Sequence, residues 1–107
     1  MSTQIRRMAD DYMIHVYYMF SAAISLDGNG ACLSVRLFDT VFGKNSMTVH
    51  PDAACVCLLS NHPEGYDRPY SCDLENLAAI KRLAEGKPVR LFITGEDIGC
   101  IEIALPV

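Results

Sequence analysis

The tetrapeptide Asp27-Gly28-Asn29-Gly30 separates two stretches rich in aromatic, β-branched and other apolar residues, and it restricts the fold more than any other feature. Gly and Asn accept the positive φ angles of a tight hairpin turn at lower cost than other residues. The turn lacks the continuation of a calcium-binding loop. Upstream, the run from Tyr12 through Phe20 to Leu26 has the composition of a strand. Downstream, Leu33, Val35 and Leu37 alternate with Ser34 and Arg36, the period of two expected when one face is buried. A β-hairpin is therefore expected around residues 27–30.

Within the upstream run, Met13, Tyr17 and Met19 fall on one strand face and Tyr12, Tyr18 and Phe20 on the other. Both faces are apolar. Either the strand is covered on both sides or one face is an interface, and a homodimer follows from the second case. A second hairpin is expected at the C-terminal end, where Val89, Leu91 and Ile93 alternate before Gly95-Glu96-Asp97-Ile98-Gly99 and Ile101, Ile103 and Leu105 alternate after it. Between the hairpins, Leu74, Leu77, Ala78, Ile80, Leu83 and Ala84 form an apolar stripe at helical spacing. Asp73 is the expected cap of that helix, and Gly86 and Pro88 its stop. Residues 52–59 are apolar throughout, and over so short a run periodicity does not separate strand from helix. One α+β domain over residues 12–107 is expected, with a mostly antiparallel sheet built from two hairpins and one or two packed helices, preceded by a polar arm over residues 1–11.

Length and composition agree with one domain. A chain of 107 residues with half its residues apolar suits a single core and is too apolar for disorder. No apolar run approaches the roughly 18–20 residues of a membrane helix. Residues 1–11 hold no apolar core of a secretory signal, so a cytoplasmic location is expected. The net charge is −4, and no basic stripe is present to meet a nucleic-acid backbone. Residues 1–51 carry four acids and four bases, whereas residues 52–107 carry nine acids and five bases, which is the whole imbalance. The cysteines, Cys32, Cys55, Cys57, Cys72 and Cys100, are odd in number and follow no secretion signal, so reduced and mostly buried thiols are expected. A zinc site from Cys55, Cys57, His62 and Cys72 would match no usual knuckle spacing. Cys72, close to a helix start, is a candidate for a lowered thiol pKa.

The stretch from Leu58 to Asp73 carries the chemistry: Leu58-Leu59-Ser60-Asn61-His62-Pro63-Glu64-Gly65, then Pro69-Tyr70-Ser71-Cys72-Asp73. It resembles the JAMM (MPN) metalloproteases, most of all their RadC-type branch. Those proteins carry His-x-His-Pro-x-Gly, then Pro, then Ser-x-x-Asp, then a helix and a strand. The resemblance covers residues 49–105 and carries over His62, Ser71 and Asp73. It implies a zinc metallohydrolase or its inactive descendant, with His62 and Asp73 as the metal ligands. The chain departs from the pattern in four places. Ser60 stands at the first His position, the step from His62 to Ser71 is one residue longer, no long helix fits before the motif, and no Glu precedes Glu64 to act as a base. Two protein ligands are one short of a usual catalytic zinc site, and His50 is the remaining candidate for a third.

No complete catalytic set is present, so the reading favoured here is a small non-catalytic interaction protein without a cofactor, docking on and modulating a larger protein or protein complex. Its acidic half would complement a basic partner surface, with Glu64, Asp67, Glu96 and Asp97 as the contact residues. Small inhibitors that phages and mobile elements direct at host defence complexes, such as anti-CRISPR proteins, share this size and composition.

Overall fold

Both expected hairpins form, and the strand that joins them is the undecided segment. In a computed structural model, which describes Ile5, residues 20–39 (without the side chains of residues 38 and 39) and residues 48–106, the chain runs β1 (Phe20–Leu26), β2 (Cys32–Asp39), β3 (Cys55–Asn61), α1 (Ser71–Ala84), β4 (Val89–Gly95) and β5 (Gly99–Ile103). The strands form one sheet in the order β2-β1-β3-β4-β5. All neighbours are antiparallel except β3 and β4, which run parallel. The connection between that parallel pair is α1, which lies on one face of the sheet as a crossover helix must. The domain is therefore α+β, with a mostly antiparallel sheet. No helix among the described residues is long and apolar enough to cross a membrane.

The first turn works through Asp27. Its carboxylate accepts from the backbone N–H of Asn29 at 2.8 Å and of Ala31 at 2.9 Å, so the side chain completes the turn that Gly30, at φ 82°, closes. Residues Tyr12–Met19 lie outside the described residues, and so does the expected segment 1–11 apart from Ile5. Ile5 is helical and fully buried.

Each face of the sheet has its own core. On one, Ala23, Val56, Leu58 and Leu91 meet Leu77, Ala79, Ile80 and Ala84 of α1. On the other, Ala22, Ile24, Leu26, Cys55, Cys57, Leu59, Phe92 and Cys100 gather with Ile5. All seven residues of β3 are buried. This explains why residues 52–59 show no alternation: a central strand in a parallel pair is covered on both faces and reads as a continuous apolar run.

Strand β2 departs from expectation. Val35 pairs with Ile24 and Leu37 with Ala22, so both lie on the face that holds Ile5, as their alternation implies. Yet Val35 is 40% and Leu37 62% exposed, because β2 is the edge strand of the sheet.

The helix is capped three residues before the expected position. Its N-cap is Tyr70, not Asp73, which occupies the third helical position. Its end falls at Glu85, which takes the left-handed conformation at φ 52°, one residue before Gly86.

All five cysteines are free thiols. Cys55 and Cys57 are two residues apart on one strand and share a face. Burial, reinforced by the adjacent Cys55, pushes the Cys57 thiol up to about 12.

Candidate functional site

Strand alternation places Ser60 and His62 on the same side of the sheet, the side that carries α1. The first turn of α1 points Asp73 back at both. The Asp73 carboxylate accepts from Ser60 Oγ at 2.7 Å through Oδ1. Through Oδ2 it accepts from the backbone N–H of Tyr70 at 2.9 Å and faces His62 Nε2 at 2.7 Å. Ser60 Oγ also lies 3.3 Å from Ser21 Oγ on β1. The other ring nitrogen of His62, Nδ1, is 2.8 Å from the backbone carbonyl of Tyr66. Ser60, His62 and Asp73 are all buried, His62 completely. The loop that leaves β3 thus has its first residue, His62, in the interior.

This arrangement favours one charge state of the ring. A carbonyl and a carboxylate accept, so the doubly protonated ring, which donates from both nitrogens, suits both partners. Burial works against that charge, but the hydrogen bond to Asp73, the Tyr66 carbonyl and the Asp73 charge outweigh it and hold the His62 pKa above the ordinary value. Burial likewise pushes Asp73 upward, and donation from His62, Ser60 and the Tyr70 N–H outweighs it, so its carboxyl lies below the usual range. Cys72, the next residue toward the N-terminus, moves opposite to the sequence expectation. Burial and the neighbouring Asp73 charge raise its pKa, so its place at the helix start does not make it a reactive thiolate.

The loop from His62 to Tyr70 is fastened at both ends. The His62 N–H donates to the Thr94 carbonyl at 2.7 Å, extending the β3–β4 ladder by one residue, and the His62 carbonyl accepts from Gly65 at 3.0 Å. A Cβ on Gly95 would sit 2.6 Å from the His62 carbonyl oxygen, so the loop takes this path only because residue 95 has no side chain. Tyr66 and Tyr70 stack with ring centroids 5.0 Å apart, and Tyr70 lies 4.4 Å from the His62 ring. The Tyr70 hydroxyl donates to Glu64 Oε2 at 3.2 Å.

Of the residues expected to contact a partner, Glu64 and Asp67 lie on this loop and Glu96 and Asp97 on the β4–β5 turn, and all four are exposed. The two segments meet at the same end of the sheet: a Cβ on Gly65 would lie 3.5 Å from Asp97 Oδ2. Tyr66, 47% exposed, stands among them, as does the exposed Arg68. Single-residue reading missed Tyr66 and Tyr70. It also treated Ser60 only as a departure from a motif, although the spacing Ser60-x-His62 on a strand already places the two side chains on one face.

The donor set does not fit a catalytic zinc ion. Such a site needs three protein ligands with an open position. His62 and Asp73 bond directly to one another, and Ser60 donates to Asp73. His50 is not the third ligand. It belongs to the other end of β1, where its N–H donates to Ser25 Oγ and its Nδ1 accepts from the Asp52 N–H. Cys55 and Cys57 lie in the core cluster on the opposite face of the sheet. Among the described residues no group of three or more His, Cys, Asp and Glu side chains is placed to hold a metal. Ser71, carried over with His62 and Asp73, is exposed at the start of α1. No protein-family model matches the chain, and no curated protein does.

Proposed function

We propose that this domain is a non-catalytic interaction module that docks on a basic surface of a larger protein through the end of the sheet formed by loop 62–70 and the β4–β5 turn. One observation carries the reading. The polar side chains with the chemistry for catalysis, Ser60, His62 and Asp73, are buried and bonded to each other. The residues of the same loop that remain outside are Glu64, Tyr66, Asp67 and Arg68, beside Glu96 and Asp97, so four acids outweigh one base. Acidic groups around an exposed tyrosine suit a partner rich in Lys and Arg. The carboxylates steer its approach, and an aromatic ring supplies contact area at low entropic cost and a face for a cation.

The test is site-specific photo-crosslinking from position 66 in a lysate, with a second crosslinker at the exposed Ala104 as a control. The reading expects a discrete adduct from position 66 that disappears when Glu64, Asp67, Glu96 and Asp97 are all changed to Lys in a variant whose circular dichroism is unchanged. Adducts that survive the charge reversal, or that form equally at position 104, would remove the reading.

A second reading, an inactive descendant of a JAMM-like hydrolase, is favoured by the meeting of Ser60, His62 and Asp73 where β3 ends and α1 begins. It is compatible with the first, since a scaffold that has lost its ligands can keep a docking surface. Elemental mass spectrometry on protein purified without a metal-affinity tag separates both from a working hydrolase. Far less than one zinc per chain is expected, and stoichiometric zinc that is absent from His62→Ala would overturn both.

A further inference from the structure

We propose that Asn29 is a site of spontaneous modification, where the tip of the first hairpin converts from asparagine to aspartate and isoaspartate, and that Asp27 slows the conversion by holding the turn closed. The sequence singles out the position. Asn29 precedes Gly30, whereas Asn45, Asn61 and Asn76 precede Ser, His and Leu. In this reaction the backbone nitrogen of the following residue reaches the asparagine side chain, and glycine alone puts no side chain in that path.

The structure leaves the step room to occur. Asn29 and Gly28 are exposed, and a Cβ on Gly28 would meet nothing within 4 Å, so the tip stands clear of the rest of the domain. Asn61 and Asn76 are buried. At the tip, the Gly30 nitrogen attacks Cγ of Asn29. The new N–C bond closes a succinimide, the Cγ–Nδ2 bond breaks, and Nδ2 leaves as ammonia with the proton of the Gly30 amide. Water then opens the ring. Its hydroxyl stays on the carbonyl it attacks, and its other proton returns to the Gly30 nitrogen. Opening at Cγ leaves aspartate, and opening at the main-chain carbonyl leaves isoaspartate, whose backbone runs through Cβ. Water is the only co-reactant, and either product adds a negative charge.

The same turn restrains the reaction. The Asp27 carboxylate accepts from the N–H of Asn29 at 2.8 Å and of Ala31 at 2.9 Å. The Asp27 carbonyl accepts from Gly30, the attacking nitrogen, at 3.0 Å. That N–H must leave its acceptor before the nitrogen can turn on Cγ, so conversion proceeds through brief openings of the tip. Isoaspartate places its extra backbone atom between the two N–H groups that Asp27 Oδ1 holds, so the original turn does not re-form around it.

Incubation of the full chain at mildly alkaline pH, followed by peptide mapping with a fragmentation that separates isoaspartate from aspartate, tests this. The expected result is an amide-to-acid mass gain confined to Asn29, present as both isomers, faster in urea than in the native protein and abolished in Asn29→Gln. Asp27→Ala should convert roughly tenfold faster than wild type under native conditions, the factor set by losing two turn hydrogen bonds. Asp27→Ser, which keeps a side-chain acceptor, should stay closer to wild type. An Asn29 that is unchanged in the native protein while it converts in urea, an equal rate at Asn45, Asn61 or Asn76, or an Asp27→Ala rate equal to wild type would each overturn the inference. If Asp27→Ala fails to fold, the wild type decides, since equal rates in urea and in the native state would mean that the turn exerts no restraint. Leu26 pairs with Cys55 at the start of β3, so the tip lies at the end of the sheet opposite the acidic loop, and these results are independent of the docking proposal.

Discussion

Nε2 of His62 lies 2.7 Å from Oδ2 of Asp73 in a place where neither residue reaches solvent. The bond spans a loop and joins the end of β3 to the first turn of α1. Buried pairs of this kind add little net stability over a well-packed apolar pair, but removing one partner leaves the other charge without compensation.

His62→Ala should therefore cost about 3–5 kcal/mol, and Asp73→Ala a comparable amount. The double variant should cost well below the sum, since the second change removes a charge the first had stranded. Urea denaturation of the three variants measures this. A loss under about 1 kcal/mol for His62→Ala would be the behaviour of an exposed pair and would show that the two side chains do not meet as described.

The same pair sets the pH dependence. The His62 pKa is raised in the folded protein, so its contribution is complete below the unfolded value of about 6.5 and is lost as pH rises through the folded value. The Asp73 pKa is lowered, so its contribution is present above about 3.9 and is lost as pH falls through the folded value. Glu64, facing the ring from the loop, reinforces the upward shift of His62. Stability should peak between roughly pH 4 and 6.5 and decline on the alkaline side. Thermal melts from pH 4 to 9 should show that decline in the wild type and a flatter profile in His62→Gln. An alkaline decline of the same size in both would assign it to other groups.

Gly95→Ala should destabilise the fold by about 2 kcal/mol or more. The added Cβ would meet a backbone carbonyl, that of His62, at 2.6 Å, and not the yielding end of a side chain. Amide hydrogen exchange at His62, whose N–H is bonded to Thr94, should accelerate more than exchange in β1. A uniform change across both strands would indicate a global effect without local displacement of the loop.

Glu85→Gly should stabilise the protein by about 0.5–1 kcal/mol. Glu85 holds a left-handed conformation at φ 52°, which glycine adopts freely, and its negative charge stands at the unfavourable end of the helix dipole. A thermal melt reads the gain, and an unchanged or lowered midpoint would contradict it.

Much of this architecture was legible in the chain, for local reasons. The turn at Asp27–Gly30 and the alternation on either side of Gly95–Gly99 are signals within a few residues, and both hairpins formed where they pointed. The strand nature of Cys55–Asn61 was not legible, because burial on both faces erases the period. The helix start was misplaced because Asp73 satisfies the Tyr70 N–H from the third helical position, and the same carboxylate type would also suit a cap. Alternation in β2 identified which residues share a face, but not that Val35 and Leu37 stay exposed on it. At the site, His62 and Asp73 were legible as candidates. Their direct bond was not, since it depends on the path of a loop that Gly95 permits.

The position of β3 has a consequence for how the chain folds. The two hairpins can close early, each from neighbouring residues, whereas β3 pairs with β1 on one side and β4 on the other, and its contact between Ser21 and Ser60 spans 39 residues. Loop closure over such distances is the slow part of assembling a sheet. The docking of β3 is then the step that turns two locally formed halves into one cooperative unit. Substitutions in β3 should slow folding, while those at the outer edges of the hairpins should chiefly hasten unfolding.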